Sequence, residues 1–204
     1  MFDAWSPDAT TGAFTWLTLP PAPRRAAYWS VLVRPGHRQV YVADVDVPVP
    51  SGLVVRTHGL WADHTCEAPF EQWTVRNECH AVALDAATDA LDRAYGEVTP
   101  IAVDMEWYAT GPPEPVPGGY RQRGEAHTVV ELAGGPLELV GPAARTHVWG
   151  TAQPPEDDDE LVGPAAYLRT VQGVVERVLT PDGWRTISPS PPPPQPPASP
   201  RGGV

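Results

Sequence analysis

Positive charge is scarce in this chain. Lys and Arg together number 14 against 25 Asp and Glu, leaving a formal net charge of -11. A phosphate-binding surface needs a basic stripe, so nucleic acid is excluded as a partner, and docking on anionic membranes with it. No apolar run approaches the length of a membrane span, and no basic region followed by an apolar run opens the chain. Only two cysteines are present, thirteen residues apart, with no CxxC pair. That spacing fits no zinc ribbon and reads as free thiols in a reducing compartment, hence a cytoplasmic protein. GxGxxG, Walker, GxSxG and HExxH motifs are all missing, so no cofactor or metal is expected. No repeat of fixed period is found.

What is present points to β structure. Residues 13–19, 27–34 and 39–47 alternate or run apolar between Pro/Gly breaks, and each reads as a strand. Strands are also expected over 53–61, 66–77, 78–85, 100–109 and 143–149. A hairpin is expected to join 120–132 to 137–140 across Ala133-Gly134-Gly135-Pro136, and a long strand or two run over 167–180 before a second hairpin at Pro181-Asp182-Gly183. Asp85 to Gly96 carries the one helix signal, capped by Asp85 or Thr88 and ended by Gly96. Short strands at regular spacing with one short helix indicate an all-β antiparallel barrel or sandwich. Many of the 27 prolines crowd residues 188–204, an extended tail that cannot join a core.

The chemistry-bearing residues concentrate between Gly59 and His80. Both cysteines, Trp61 and Trp73, His64 and His80, and four acids fall there. Charges are costly to bury unpaired, so the stretch reads as the wall of a pocket, or else as a solvated sheet face. Cys79 and His80 are neighbours on a strand and point to opposite faces, which excludes them as a nucleophile–base pair. His64 and Glu67, joined by His58 or His147, would make a two-His-one-carboxylate set, but nothing in the spacing enforces it, and no metal is assigned. His147 and Trp149 lie two apart and share a strand face, placing an imidazole beside an indole. Such a pair can move a proton and steady a cation, or serve as a half-buried packing pair.

Ala27-Tyr28-Trp29, Gly59-Leu60-Trp61-Ala62-Asp63, Cys66-Glu67-Ala68-Pro69, Glu71-Gln72-Trp73, Ala81-Val82-Ala83-Leu84-Asp85, Asp104-Met105-Glu106-Trp107 and His147-Val148-Trp149-Gly150 together resemble the hydroxyneurosporene synthase (carotenoid 1,2-hydratase) and AttH-type lipocalin-like proteins. The match is closer to their actinobacterial relatives and runs from about Phe14 to Trp184. The resemblance implies a lipocalin-like domain over residues 1–187, in which 1–50 would be an incomplete N-terminal half. It also implies an apolar ligand and a reaction centre at His147 and Trp149. The hydratases add a Tyr-x-Asp, whereas this chain has Tyr167-Leu168-Arg169, so their water-activating step is not carried over. Their chains are about twice as long, which leaves a second copy, in a homodimer, as one source of a missing half.

The expected function is therefore binding of an apolar, isoprenoid- or polyketide-like molecule in a β-barrel pocket, with acid–base hydration, isomerisation or cyclisation as the chemistry. The alternative is a binding protein with no chemistry. His147, Trp149, Glu67 and Glu106 are the catalytic candidates. Trp61, His64, Trp73, Glu78, Asp104, Trp107 and Tyr120 are the candidate ligand contacts. A carboxyl pointing into an apolar pocket would be held protonated, as a proton donor requires. An ion pair with Arg56, Arg76 or Arg145 is the competing role for Glu67 and Glu106.

Overall fold

A computed structural model of the chain describes residues 1–8, 10–19, 25–85, 89, 94–116 and 118–149, with two further strands at 177–180 and 183–186. Among the described residues every element is a strand: β1 (Phe2–Trp5), β2 (Gly12–Thr18), β3 (Ala26–Val33), β4 (Val40–Val47), β5 (Val54–Thr57), β6 (Leu60–Ala68), β7 (Gln72–Leu84), β8 (Gly96–Val116), β9 (Gly119–Leu132), β10 (Leu137–Val148), β11 (Arg177–Thr180) and β12 (Gly183–Thr186). Most of the expected helix, residues 167–176 of the expected long strand and the tail from 188 lie outside the described residues. Gly96, expected to end that helix, instead opens β8.

The ten strands from β1 to β10 form one antiparallel sheet in the order β4-β3-β2-β1-β10-β9-β8-β7-β6-β5, and β4 also pairs with β7. That extra pairing bends the sheet into a barrel. The ring runs through β1, β2, β3, β4, β7, β8, β9 and β10, and the β5–β6 hairpin hangs on the same edge of β7 that β4 uses. The closing seam is short, Val40↔Ala83 and Tyr41↔Val82. Nothing else on the ring is so brief: β7 and β8 stay paired from Gln72↔Tyr108 to Leu84↔Gly96. The hairpin expected before Trp184 is found, with Thr180 opposite Gly183.

Strand alternation sorts the side chains. Trp73, Val75, Cys79 and Ala81 of β7, with Ile101, Val103, Met105 and Trp107 of β8, are buried in the core enclosed by the barrel. Arg76, Glu78 and His80, and Asp104, Glu106 and Tyr108, take the solvent face between them. β3 is buried on both faces, because Trp29, Val31 and Val33 join Trp5, Phe14, Tyr41 and Leu84 in a second cluster on the outer side. The prolines at 112, 113 and 115 fall in the part of β8 that pairs only with β9, after a register shift between Ala109 and Pro113. An outer edge without ladder partners tolerates residues that cannot donate.

Two turns correct the expected strand boundaries. The run 53–61 is not one strand: Thr57 pairs with Leu60 across His58-Gly59, with Gly59 at φ 87°. The run 66–77 is broken at Pro69-Phe70-Glu71, and 72–84 is continuous. The first turn reverses the face of Trp61, which points outward while Leu60, Ala62 and His64 point in. Strand β1 was not expected from the sequence, and the separate strand at 143–149 is the second half of β10.

Cys79 is buried, and burial pushes its thiol up to about 12, whereas Cys66 is exposed. A thiol reagent is therefore expected to label Cys66 alone in the folded protein and both cysteines after denaturation. Mass spectrometry of the labelled chain checks this, and label on folded Cys79 would contradict its burial.

Candidate functional site

The end of the barrel where β6 turns into β7 gathers most of the aromatic side chains that face inward. Strand β10 carries Ala143, Arg145 and His147 on its inner face, and β9 sets Tyr120 opposite His147 and Gln122 opposite Arg145. Strand β1 sets Phe2 on the other side of Arg145. The guanidinium lies 4.4 Å from the ring centre of Trp73, 5.1 Å from Tyr120 and 5.8 Å from Phe2, and it donates a hydrogen bond to the Tyr120 hydroxyl. Arg145 is only 8% exposed. Among the described residues no carboxylate comes within ion-pair distance of it. Cation–π contact offsets part of the cost of burying that charge.

Above this box the wall opens into a collar. Phe70, Tyr120, His147 and Trp149 follow one another at ring separations of 5.7 Å (Phe70 to Tyr120), 5.5 Å (Tyr120 to His147) and 5.5 Å (His147 to Trp149). Phe70 is 51% exposed and Trp149 60% exposed. Phe70 is held at φ 61°, a left-handed conformation uncommon outside glycine. The inward Gln122 pins the turn by donating from Nε2 to the carbonyls of Phe70 and Gly111, at 2.9 Å each. The Trp149 backbone N–H donates to the Gly118 carbonyl at 2.8 Å. The collar is thus fixed by backbone contacts while its rings remain accessible.

Below the box, His64 meets Phe2 edge-on at 5.8 Å and Tyr28 at 6.0 Å. Burial lowers the His64 imidazole to about 3, the Met1 amino group adding a smaller push, so it is neutral at ordinary pH. Among the described residues its Nε2 has no hydrogen-bond partner, nor do the indole nitrogens of Trp73 and Trp107. The interior also holds a satisfied polar set, in which Asn77 donates to the Tyr28 hydroxyl at 2.9 Å and to Ser30 at 3.2 Å. His147 is exposed at the rim, and partial burial, then the charge of Arg145, lowers its proton affinity.

The structure separates the residues picked out from sequence. Trp73, Tyr120, His147 and Trp149 come together at the collar, and His64 and Trp107 lie in the interior. The expected inward carboxyls do not point inward. Glu67 accepts from Thr74 Oγ1 on the outer face, Asp104 pairs with Arg76 at 3.2 Å, Glu106 accepts from the Tyr108 hydroxyl, and Glu78 is exposed. For Glu78, Asp104 and Glu106 alternation from the inward Trp73 and Trp107 forces this, since residues at odd offsets take the other face; Glu67 is on β6, at an odd offset from the inward His64. None of the four is hydrogen-bonded or ion-paired to His147, and His64 and Glu67 lie on opposite faces. Among the described residues no three His, Cys, Asp or Glu side chains group to hold a metal ion.

Trp61 and Glu78 belong to a different hollow, an open groove of about 740 Å³ lined also by Leu60, Cys79, His80 and Ile101. Six strand positions separate Trp73 from Cys79, roughly 20 Å at the usual rise, so this groove lies toward the opposite end of the barrel. The collar is the better candidate. Its polar group is buried and, among the described residues, has no ion-pair partner, whereas the acids of the groove are solvated. Arg145, Gln122, Phe70 and Phe2 were not among the residues expected at a site. Arg145 had a readable signal, since it sits two before His147 and shares its face.

Residues 1–154 match the model of a family described as a domain of unknown function, DUF7064. No curated protein and no solved structure matches the chain.

Proposed function

We propose a function on the premise that the chain belongs to the DUF7064 family. The protein binds an apolar small molecule at the collar of its barrel, and does so without chemistry of its own. The observation that carries this is the exposed run of rings from Phe70 through Tyr120 and His147 to Trp149, held by Gln122 and by the Gly118 carbonyl. Exposed aromatic rings on a rigid frame cost little conformational entropy on binding, and they offer area to an apolar guest. The resemblance to the hydroxyneurosporene synthase and AttH-type proteins supports the same class of guest, isoprenoid- or polyketide-like. Acid–base hydration or isomerisation has less support, because among the described residues Glu67, Asp104 and Glu106 find their partners on the outer face and none is bonded to His147.

A neutral dye such as Nile red, followed by its blue shift, tests the reading. Wild-type protein is expected to bind the dye, and the double variant Phe70→Ala/Trp149→Ala to bind it about tenfold more weakly with unchanged thermal stability. Trp61→Ala, in the distant groove, is expected to leave binding as it was. An unbound dye, or one that responds to Trp61 and not to the collar, would reject the collar as the binding site.

A further inference from the structure

The apolar reading leaves one group unexplained, the buried cation beneath the collar. Resting on that reading, we propose that the guest is an apolar monocarboxylic acid whose carboxylate is seated on Arg145.

Four observations converge. First, Arg145 is buried, and among the described residues it has no acid partner. Removing a guanidinium from water is strongly unfavourable unless an anion and hydrogen bonds replace the lost hydration, and aromatic faces supply only part of that. Second, its one hydrogen bond among the described residues goes to Tyr120, itself a ring of the collar, so the cation is tied to the entrance. Third, Trp73 stacks on the guanidinium, yet its buried indole N–H has no partner among the described residues. An indole nitrogen can only donate, so an arriving acceptor satisfies it and a donor or hydrocarbon does not. Fourth, the described carboxylates of the strands that wall the interior, Asp104 and Glu106 of β8, point to the outer face. Among the described residues the site therefore presents a charge that no carboxylate neutralises.

The stoichiometry favours a single negative charge. Among the described residues one guanidinium faces the site; the Met1 amino group near it is lowered to about 5 by burial and then by Arg145, and the Asn77–Tyr28–Ser30 set deeper in the barrel is already satisfied internally. A carboxylate accepts from two parallel N–H groups of a guanidinium and has further lone pairs for an indole N–H. The body of the guest would lie against Phe70, Tyr120 and Trp149, whose surfaces carry no charge. His147, biased toward its neutral form, adds no second cation at the rim.

Decanoate and decanol make a matched pair of probes, identical except for the head. Displacement of Nile red by each is measured at a pH where the acid is ionised and below the concentration at which either self-associates. Decanoate is expected to bind wild-type protein about tenfold more tightly than decanol. Arg145→Gln is expected to erase that difference while keeping the affinity for decanol. Arg145→Lys is expected to keep a reduced preference, because a point charge replaces a two-pronged donor. Equal affinity of the two probes for wild-type protein would overturn the carboxylate assignment and leave apolar binding at the collar intact. Binding of neither probe nor dye would overturn both. The wild-type comparison needs no variant, so it decides the question even where Arg145→Gln does not fold.

Discussion

Gly124→Ala is expected to destabilise the protein by about 3 kcal/mol, the upper end of what overpacking a core costs. Gly124 faces the barrel interior on β9, directly against the buried Trp107 of β8. A Cβ there would stand 2.5 Å from Trp107 Cε2, 2.6 Å from its Nε1 and 2.5 Å from the Tyr108 carbonyl oxygen. The ring could tilt at a cost, but the carbonyl belongs to the backbone and cannot turn aside without disturbing the β8–β9 ladder. The double variant Gly124→Ala/Trp107→Leu should therefore recover only part of the loss. Urea denaturation of the three proteins measures this. A loss below about 1 kcal/mol for the single variant would mean that the strand yields more readily than a packed interior allows.

The second large effect is a dependence on acid that two buried groups partly conceal. His64 has a folded-state value of about 3 against an ordinary 6.5, chiefly because burial disfavours the imidazolium. Between those limits the unfolded chain takes up a proton that the folded chain refuses. The stability this preserves is complete above pH 6.5 and is lost as the pH falls, by about 1.4 kcal/mol per unit. Asp3 acts in the opposite sense. Burial raises its carboxyl from 3.8 to about 6, although Arg121 and the Trp5 indole N–H oppose the shift. From pH 6 down to 3.8 the folded chain is the one that takes up the proton, so acid favours it there. The two slopes offset each other across that window, to which the Met1 amino group, lowered by burial from 8.0 to about 5, adds a loss of stability down to about pH 5. His64→Phe removes one of them and keeps an aromatic ring against Phe2. The stability of this variant relative to wild type is expected to grow by about 3 kcal/mol between neutral pH and pH 4.5. Thermal or urea unfolding at several pH values provides the comparison. A difference that stays constant with pH would show that His64 is not withheld from protonation.

Strand alternation carried most of the fold in the sequence. Val40 to Val47, Ile101 to Trp107 and the Gly134-Gly135 hairpin each announce a half-buried antiparallel strand or its turn, and each is found. The losses came at turns. His58-Gly59 is a two-residue reversal with no proline to mark it, and missing it put Trp61 on the wrong face. Phe70, bulky and apolar, carries no turn signal, yet it occupies the left-handed position of its turn. Strand β1 escaped because Phe2–Trp5 is too short for a period to show; its place comes from pairing with β2 across the next turn and with β10, which is remote in the chain.

The site was legible in part. His147 and Trp149 do adjoin at ring distance, as their spacing requires, and Trp73 and Tyr120 join them. The carboxyls were misplaced by a single step. Asp104 and Glu106 sit between Val103, Met105 and Trp107, and a face that takes the tryptophan cannot take its acidic neighbours. Arg145 was overlooked because it was weighed only as a counter-ion for those acids. Its surroundings are built from β1, β7 and β9, which are remote in sequence, so no local pattern could disclose that it has none.

The joint at Val40–Ala83 and Tyr41–Val82 has a mechanical consequence. A cylinder under thermal agitation parts first where the fewest rungs hold it, and here that line runs beside the β5–β6 flap rather than through the long β7–β8–β9–β10 wall. Slackening along that line would not sever the staves that carry Trp73, Tyr120 and Arg145. The molecule can loosen on one flank while the opposite flank keeps its shape.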